Sequence, residues 1–259
     1  MARVLREDGK KSLELVTNII YIFFCFSNYS IYHPIITSQK IGDMCLKIAD
    51  QEINREKIWR EDLENLKMKY QQNTENTQLA KNLEHENKKF QSLLQKQDQL
   101  LFVLFHLLLN LAEDLTIEVK MLKRDVIKYL VFLLDRKLPQ LLVVIITFLK
   151  KLSIFKDNKQ EFLELSNEFL PKILKLLQPE NSSLFNIILR LLINLSHDQE
   201  IRILMVKYGF IPKICELIQV KQNYTYIIQL LYQLSIDDKN KLAFSYTDII
   251  PTVSYIYII

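Results

Sequence analysis

An internal repeat of about 40 residues constrains the fold of this chain more than any other feature. Four apolar stretches end on leucines that lie 41, 43 and 39 positions apart. These leucines are Leu111, Leu152, Leu195 and Leu234. Prolines keep the same register, 19, 17 and 17 positions after three of the leucines, at Pro171, Pro212 and Pro251. Two landmarks in step predict similar structural units that must stack, because each is too small to bury its own apolar side chains.

Each unit is predicted to contain a short helix, a helix opened by proline, and a longer helix. The clearest copy is VKYGFIP at 206–212, where Gly209 allows a sharp turn and Pro212 starts the next helix. Only 3 Gly and 6 Pro occur in 259 residues, too few for turn-rich sheets. The predicted fold class is all-α, an armadillo- or HEAT-like helical-repeat solenoid wound as a right-handed superhelix.

The repeat divides the chain into three predicted regions. Residues 1–50 form a degenerate armadillo-like repeat, with Gly42 where the proline would fall. Residues 51–98 are a charged, coiled-coil-like insertion, and residues 99–259 form about four armadillo-like repeats, the last lacking its third helix. Because the chain starts inside a repeat and stops after a second helix, we expect a fragment, a divergent copy or an incomplete gene model.

The insertion is predicted to be a hairpin of two amphipathic helices. Apolar residues recur at helical spacing in two stripes, separated by the polar stretch 71–77. The stripes are Trp59, Leu63, Leu66 and Tyr70, then Leu79, Leu83, Phe90 and Leu93. Two interpretations stay open: the hairpin packs on its own solenoid, or it is a coiled-coil dock for a partner helix.

Composition and motifs exclude several classes of function. A net charge of +4 over 259 residues does not indicate a nucleic-acid or membrane surface. No phosphate-binding glycine loop, metal-ligand spacing or nucleophile motif occurs, so we expect no enzyme activity and no cofactor or metal. Cys25, Cys45 and Cys215 are predicted to be reduced core thiols. The apolar run Leu15 to Phe26 is too short to span a bilayer and is predicted to be a buried helix.

A binding groove is predicted along the third helices, which line the concave side of such solenoids. Polar residues spaced by four interrupt these otherwise apolar helices, and a groove position explains them better than a core position. The candidate partner-binding residues are His106, Asn110, Lys151, Arg190, Asn194, Gln229 and Gln233. As an alternative, Asn110 and Asn194 hydrogen-bond the backbone between repeats. Importin-like armadillo proteins repeat a tryptophan four residues before each such asparagine, and neither asparagine here has that tryptophan.

Several literal stretches resemble one armadillo-repeat family. They are RVLRED (3–8), ELVTNIIYIFFCFS (14–27), LLLNLAED (107–114), FLKKLSIF (148–155), LRLL (189–192) and YTDIIP (246–251). The chain is thereby identified as a member of the kinesin-associated protein family, the non-motor accessory subunits of heterotrimeric kinesin-II.

This resemblance implies a non-enzymatic scaffold. It would bind the tail or coiled-coil region of the kinesin-II motor subunits and link them to cargo adaptors for intraflagellar transport and cilium assembly. The implied location is the cytoplasm, with the cilium, axoneme and microtubules reached through the motor complex. The alternative is a catenin- or importin-like armadillo adaptor that binds extended peptides.

Overall fold

The computed structural model describes residues 1–8, 12–72, 77–112, 126–180, 182–218 and 223–247. These residues form fourteen α-helices and a few 3₁₀ turns, without a strand among them, which confirms the all-α class. The chain forms two compact units, Met1–Tyr129 and Leu130–Ile259. We describe each unit by itself.

Unit 1 contains two long helices and three shorter ones. They are α1 (Ala2–Asp8), α2 (Leu13–Ser27), α3 (His33–Ser38), α4 (Ile41–Gln72) and α5 (Thr77–Leu111). Helix α5 packs against both α2 and α4. Helix α6 (Val126–Phe132) begins in unit 1 and ends in unit 2.

The apolar run near the N-terminus forms helix α2, but only one of its faces is buried. The Ser12 hydroxyl caps the helix by accepting a hydrogen bond from the Leu15 amide at 3.3 Å. Val16 and Ile20 are buried, whereas Tyr21 and Phe26 are about half exposed, at 53% and 45%. The prediction of a buried helix is therefore wrong for this second face, because α5 covers α2 from one side.

The predicted helical hairpin is formed by α4 and α5, which pack against each other in opposite directions. Neither helix starts or stops at residue 51 or 98: α4 has 32 residues and α5 has 35. The Gln97 side-chain amide crosses the hairpin and donates to the Glu52 carbonyl at 2.8 Å. The charged segment thus extends the second and third helices of one repeat.

Unit 2 repeats a three-helix pattern. After α7 (Pro139–Leu152) come two sets: α8 (Lys159–Glu164), α9 (Ser166–Leu176) and α10 (Ser182–Ser196), then α11 (Gln199–Lys207), α12 (Phe210–Leu217) and α13 (Tyr224–Ser235). Helix α14 (Asp238–Ser245) follows. The third helices α7, α10 and α13 lie side by side, with α10 in the middle. The core of this unit contains fully buried phenylalanines, among them Phe148, Phe169, Phe185 and Phe210.

The proline landmarks differ in their place within the second helices. Pro212 is the third residue of α12 and follows Gly209, whose φ of 85° makes the predicted sharp turn. Pro171, in contrast, lies inside α9 rather than at its start. The reason is that Leu165 already accepts the first helical hydrogen bond, from the Phe169 amide at 2.8 Å. Pro251, and the predicted end of the last repeat, lie outside the described residues.

One hydrogen bond closes the C-terminal end of four third helices, α2, α7, α10 and α13. A polar side chain six positions further along the chain bonds a carbonyl that the helix leaves unpaired. The pairs are His33 with Ser27, Asn158 with Leu152, Arg202 with Ser196 and Asn240 with Leu234, at 2.7, 2.7, 2.9 and 3.0 Å. These residues recur with the repeat, and each stabilises the turn that leads from one repeat into the next.

Candidate functional site

The third helices of unit 2 bring five of the predicted binding residues onto neighbouring helices. Lys151 lies on α7, Arg190 and Asn194 on α10, and Gln229 and Gln233 on α13. Arg190 and Gln229 are exposed, whereas the other three side chains are half-buried. We call the surface formed by these five residues and Tyr226 the unit 2 face.

Asn194 points its amide into the repeat stack. Its Nδ2 donates to the Lys150 carbonyl at 3.2 Å and to the Ser153 hydroxyl at 3.1 Å, both at the end of α7. The Ser153 hydroxyl in turn donates to the Lys150 carbonyl at 2.7 Å. The amide therefore ties the end of α7 to α10.

Asn110 makes the same connection in unit 1. Its Nδ2 donates to the Ser27 hydroxyl at 2.9 Å and to the Asn28 side-chain oxygen at 3.1 Å, at the end of α2. Ser27 bonds back to the Phe24 carbonyl at 2.8 Å, as Ser153 does in its own helix. The alternative that these asparagines bond the backbone between repeats agrees with Asn194, which bonds the Lys150 carbonyl, whereas Asn110 bonds two side chains of the preceding repeat.

Arg190 contacts Tyr226, on the neighbouring helix α13, at the unit 2 face. Its Nη2 donates to the Tyr226 hydroxyl at 2.5 Å, and its Cζ lies 4.9 Å from the centre of the Tyr226 ring. The tyrosine restricts the long arginine side chain while leaving it exposed. Because 36 positions separate the two residues, the sequence alone did not pair them.

His106 lies in an aromatic cluster of unit 1 and is only half-buried. Its ring centre is 4.7 Å from that of Phe24 on α2 and 5.7 Å from that of Phe102 on α5. The Nδ1 atom is buried and has no hydrogen-bond partner among the residues that the structure describes. Burial lowers the pKa of His106 below its ordinary value of 6.5, because the surroundings disfavour the charged imidazolium.

A buried ion pair holds the repeats of unit 2 together. Arg202 on α11 bonds the Asp237 carboxylate through Nε and Nη2, at 2.5 and 3.0 Å, and Gln199 adds a third bond at 3.0 Å. The Arg202 hydrogen bond lowers the pKa of Asp237 below its ordinary value of 3.8. Asp237 immediately precedes α14, so the pair joins two consecutive first helices.

The sequence analysis missed this pair and the residues that close the third helices. Their signal was available: a polar residue stands six positions after the last residues of successive third helices. The apolar pattern does not reveal this signal, because the leucine spacing defines only the buried faces of the helices.

The hairpin forms a small, partly open cavity of about 150 Å³ between α4 and α5. Both predicted apolar stripes contribute to its wall, together with the charged residues Asp62, Glu86 and Lys89. Leu63 and Phe90 are buried there, and the Arg60 guanidinium lies 5.6 Å from the Phe90 ring centre. The half-buried Trp59, Leu66 and Leu93 complete the lining.

The cysteines fit the prediction only in part. Cys45 is fully buried, and burial raises the pKa of its thiol to about 12. Cys215 is half-buried, but Cys25 is exposed on the uncovered face of α2, so its assignment to the core is wrong. All three thiols are free.

In the part of the chain that the structure describes, no three His, Cys, Asp or Glu side chains are grouped to hold a metal ion. No single helix in these ranges is long and apolar enough to cross a bilayer. Only Leu13–Ser27 and Ser30–Ser38 taken together, across a 117° bend, reach the necessary length and apolarity.

Stacked helical repeats define the class: a helical-repeat protein. The sequence model of the family described as kinesin-associated protein (KAP) matches residues 1–259, the whole chain. The chain belongs to this family of kinesin accessory proteins, which confirms the resemblance stated from its literal sequence.

Proposed function

We propose that this chain is a non-enzymatic adaptor of the kinesin-II complex. It binds the tail or coiled-coil region of the motor subunits and links them to cargo adaptors for microtubule-based transport in cilia. The observation that carries the proposal is the family match over residues 1–259. The proposed location is the cytoplasm, together with the cilium and axoneme that the motor reaches.

The repeats support an adaptor because they provide adjacent helices with side chains available to a partner. On the unit 2 face, Arg190 and Gln229 are exposed and are assigned to partner contact. Asn110 and Asn194 already use their amides between repeats, so they are assigned to holding the helices in place. In unit 1, His106 is assigned to the same supporting role, since two aromatic rings enclose it.

Capture of motor subunits tests this function directly. The tagged full chain, shown to be helical by circular dichroism, is incubated with purified kinesin-II motor subunits and, separately, with their tail regions alone. We expect the tails to be captured as efficiently as the whole subunits. Failure of the folded chain to capture either form would contradict the adaptor function.

Two double variants test whether the unit 2 face makes the contact. R190A/Q229A removes its two exposed polar side chains, whereas K175A/K207A removes exposed lysines from α9 and α11 of the same unit. We expect weaker capture by the first and unchanged capture by the second. Equal capture by both variants would exclude the unit 2 face as the motor-binding surface.

A further inference from the structure

The three third helices of unit 2 contain basic residues but no acidic residue. Helices α7, α10 and α13 have 14, 15 and 12 residues and carry Lys150, Lys151 and Arg190. The whole chain has 30 Asp and Glu in 259 residues, a frequency at which these helices would hold about five. Amides, hydroxyls and cations take their polar positions, so these helices themselves contribute only positive charge to the unit 2 face.

Arg190, like Arg6, whose guanidinium bonds the Gln39 carbonyl, has no carboxylate partner among the residues that the structure describes. Arg3, Arg55, Arg60 and Arg202 each pair with an Asp or Glu side chain. Among the described residues, the partner of Arg190 is Tyr226, which contacts the guanidinium without neutralising it. A restrained, exposed and unneutralised guanidinium has its remaining N–H groups available to a carboxylate.

We propose that the unit 2 face binds an acidic segment of the partner protein, with Arg190 as the residue that recognises a carboxylate. Tyr226 positions the guanidinium, and Gln229 and Gln233 on the adjacent helix supply amide groups for the segment's backbone. The inference rests on the proposed function, since it names the chemistry of the motor or cargo segment that the adaptor takes. A nucleic acid fits less well, because binding a phosphate backbone requires many more cations than these helices carry.

Fluorescence anisotropy with designed peptides tests the recognition without any motor protein. The probe is a short labelled peptide that alternates Glu with Leu and Ser, and its matched controls replace every Glu by Gln or by Lys. We expect the full chain to bind the Glu peptide, with an affinity that falls as salt increases, and to bind both controls more weakly. Equal binding of the Glu and Gln peptides would overturn the proposal, and so would displacement of the Glu peptide by a single-stranded oligonucleotide at equal concentration.

Substitutions of Arg190 test whether this residue binds a carboxylate of the peptide. R190A should weaken binding of the Glu peptide about fivefold, as expected for loss of one exposed ion pair. R190K should restore only part of that loss, because an ammonium cannot form the two parallel hydrogen bonds of a guanidinium. The control K175A/K207A should bind as the wild-type chain does. An R190A chain that is as helical as wild type and binds the peptide equally well would show that Arg190 is not the recognition residue.

The experiments distinguish failure of the proposed adaptor function from failure of the proposed acidic-segment binding. Capture of motor tails without binding of the Glu peptide would leave the adaptor function standing and overturn the acidic segment. Binding of the Glu peptide at Arg190 without capture of motor tails would support the acidic segment and contradict the kinesin-II function.

Discussion

Asn110 and Asn194 occupy the same position in different third helices, and both donate to the end of the preceding third helix. In each case the acceptor includes a serine hydroxyl that itself bonds the last turn of its helix. The Asn194 amide thus also satisfies a carbonyl at a helix end where intrahelical partners run out, whereas the Asn110 amide bonds side chains alone. At the scale of one residue, these two asparagines stabilise the contact between consecutive third helices.

Removing the Asn194 amide should destabilise unit 2 while leaving the exposed surface intact. We expect N194A to lower the free energy of unfolding by about 1 kcal/mol, the usual net value of a partly buried hydrogen bond. Gln233 holds the equivalent position on α13 and provides the matched control Q233A. Urea unfolding followed by circular dichroism measures both, and an unchanged midpoint for N194A would contradict the role assigned to the amide.

His106 should make stability depend on pH near neutrality. Its pKa is lower in the folded chain than the ordinary 6.5, so the unfolded chain binds the proton more readily. This contribution to stability is complete above pH 6.5 and is lost as the pH falls from there toward the folded pKa. Substitution H106F keeps an aromatic ring beside Phe24 and removes the titration.

The measurement compares thermal unfolding of wild type and H106F between pH 7.5 and pH 5. Both proteins share every other titrating group, so the difference between their melting temperatures isolates His106. We expect wild type to lose more stability than H106F as the pH falls. Parallel curves would show that the histidine is not protonated differently in the two states.

At the scale of the secondary-structure element, two junctions between first and second helices contain a left-handed residue, whereas Leu165, between α8 and α9, has φ of −89°. Gly209 has φ of 85° before α12, and Lys40 has φ of 56° at the equivalent place before α4. Glycine adopts this conformation without strain, whereas a residue with a Cβ atom does so at a cost of about 1 kcal/mol. The two junctions therefore have the same geometry with unequal local strain.

Opposite substitutions at these two junctions should have opposite effects. A methyl group at Gly209 would meet no atom within 4 Å, so the cost of G209A comes from the backbone alone. We expect G209A to lower, and K40G to raise, the free energy of unfolding by about 1 kcal/mol each. Denaturant unfolding measures both changes, and two changes of the same sign would exclude backbone strain as their common cause.

The hairpin of α4 and α5 is also a property of whole elements. Both helices follow from the spacing of their apolar residues, because leucines and aromatics at intervals of three and four form one helical face. The full lengths of the two helices could not be predicted from the sequence, because the charged segment 51–98 and the flanking repeat core differ in composition. Within each helix, the helical hydrogen bonding continues from the charged segment into the repeat core. As a result, α4 and α5 extend past residues 51 and 98.

At the scale of the whole molecule, unit 1 exposes many large apolar side chains. They cluster in sequence over α2, the following turn and α3, and include Tyr21, Ile22, Phe26, Tyr29, Ile31, Tyr32 and Ile35. Phe26 and Tyr29 each contact Tyr32, with ring centres 5.2 and 6.4 Å apart. Apolar surface of this kind favours association.

The isolated chain should therefore self-associate as its concentration rises. Substituting Ile31 and Ile35, exposed by 77% and 61%, with lysine removes apolar surface without disturbing the buried face. We expect sedimentation velocity to show larger species for wild type than for I31K/I35K at equal concentration. A wild-type chain that stays monomeric at all concentrations would contradict this expectation, and L242K, exposed elsewhere by 65%, controls for added charge.

The sequence by itself determined the helical class, the repeat period and the family. These properties follow from local information: apolar spacing, scarce glycine, and literal stretches such as ELVTNIIYIFFCFS. Only the tertiary structure decided what each polar side chain does. Asn194 and Arg190 are four positions apart on one helix, yet one bonds the preceding repeat and the other the hydroxyl of Tyr226. Helical spacing assigns a residue to a face, but its hydrogen-bond partner depends on which neighbouring helix packs beside that face.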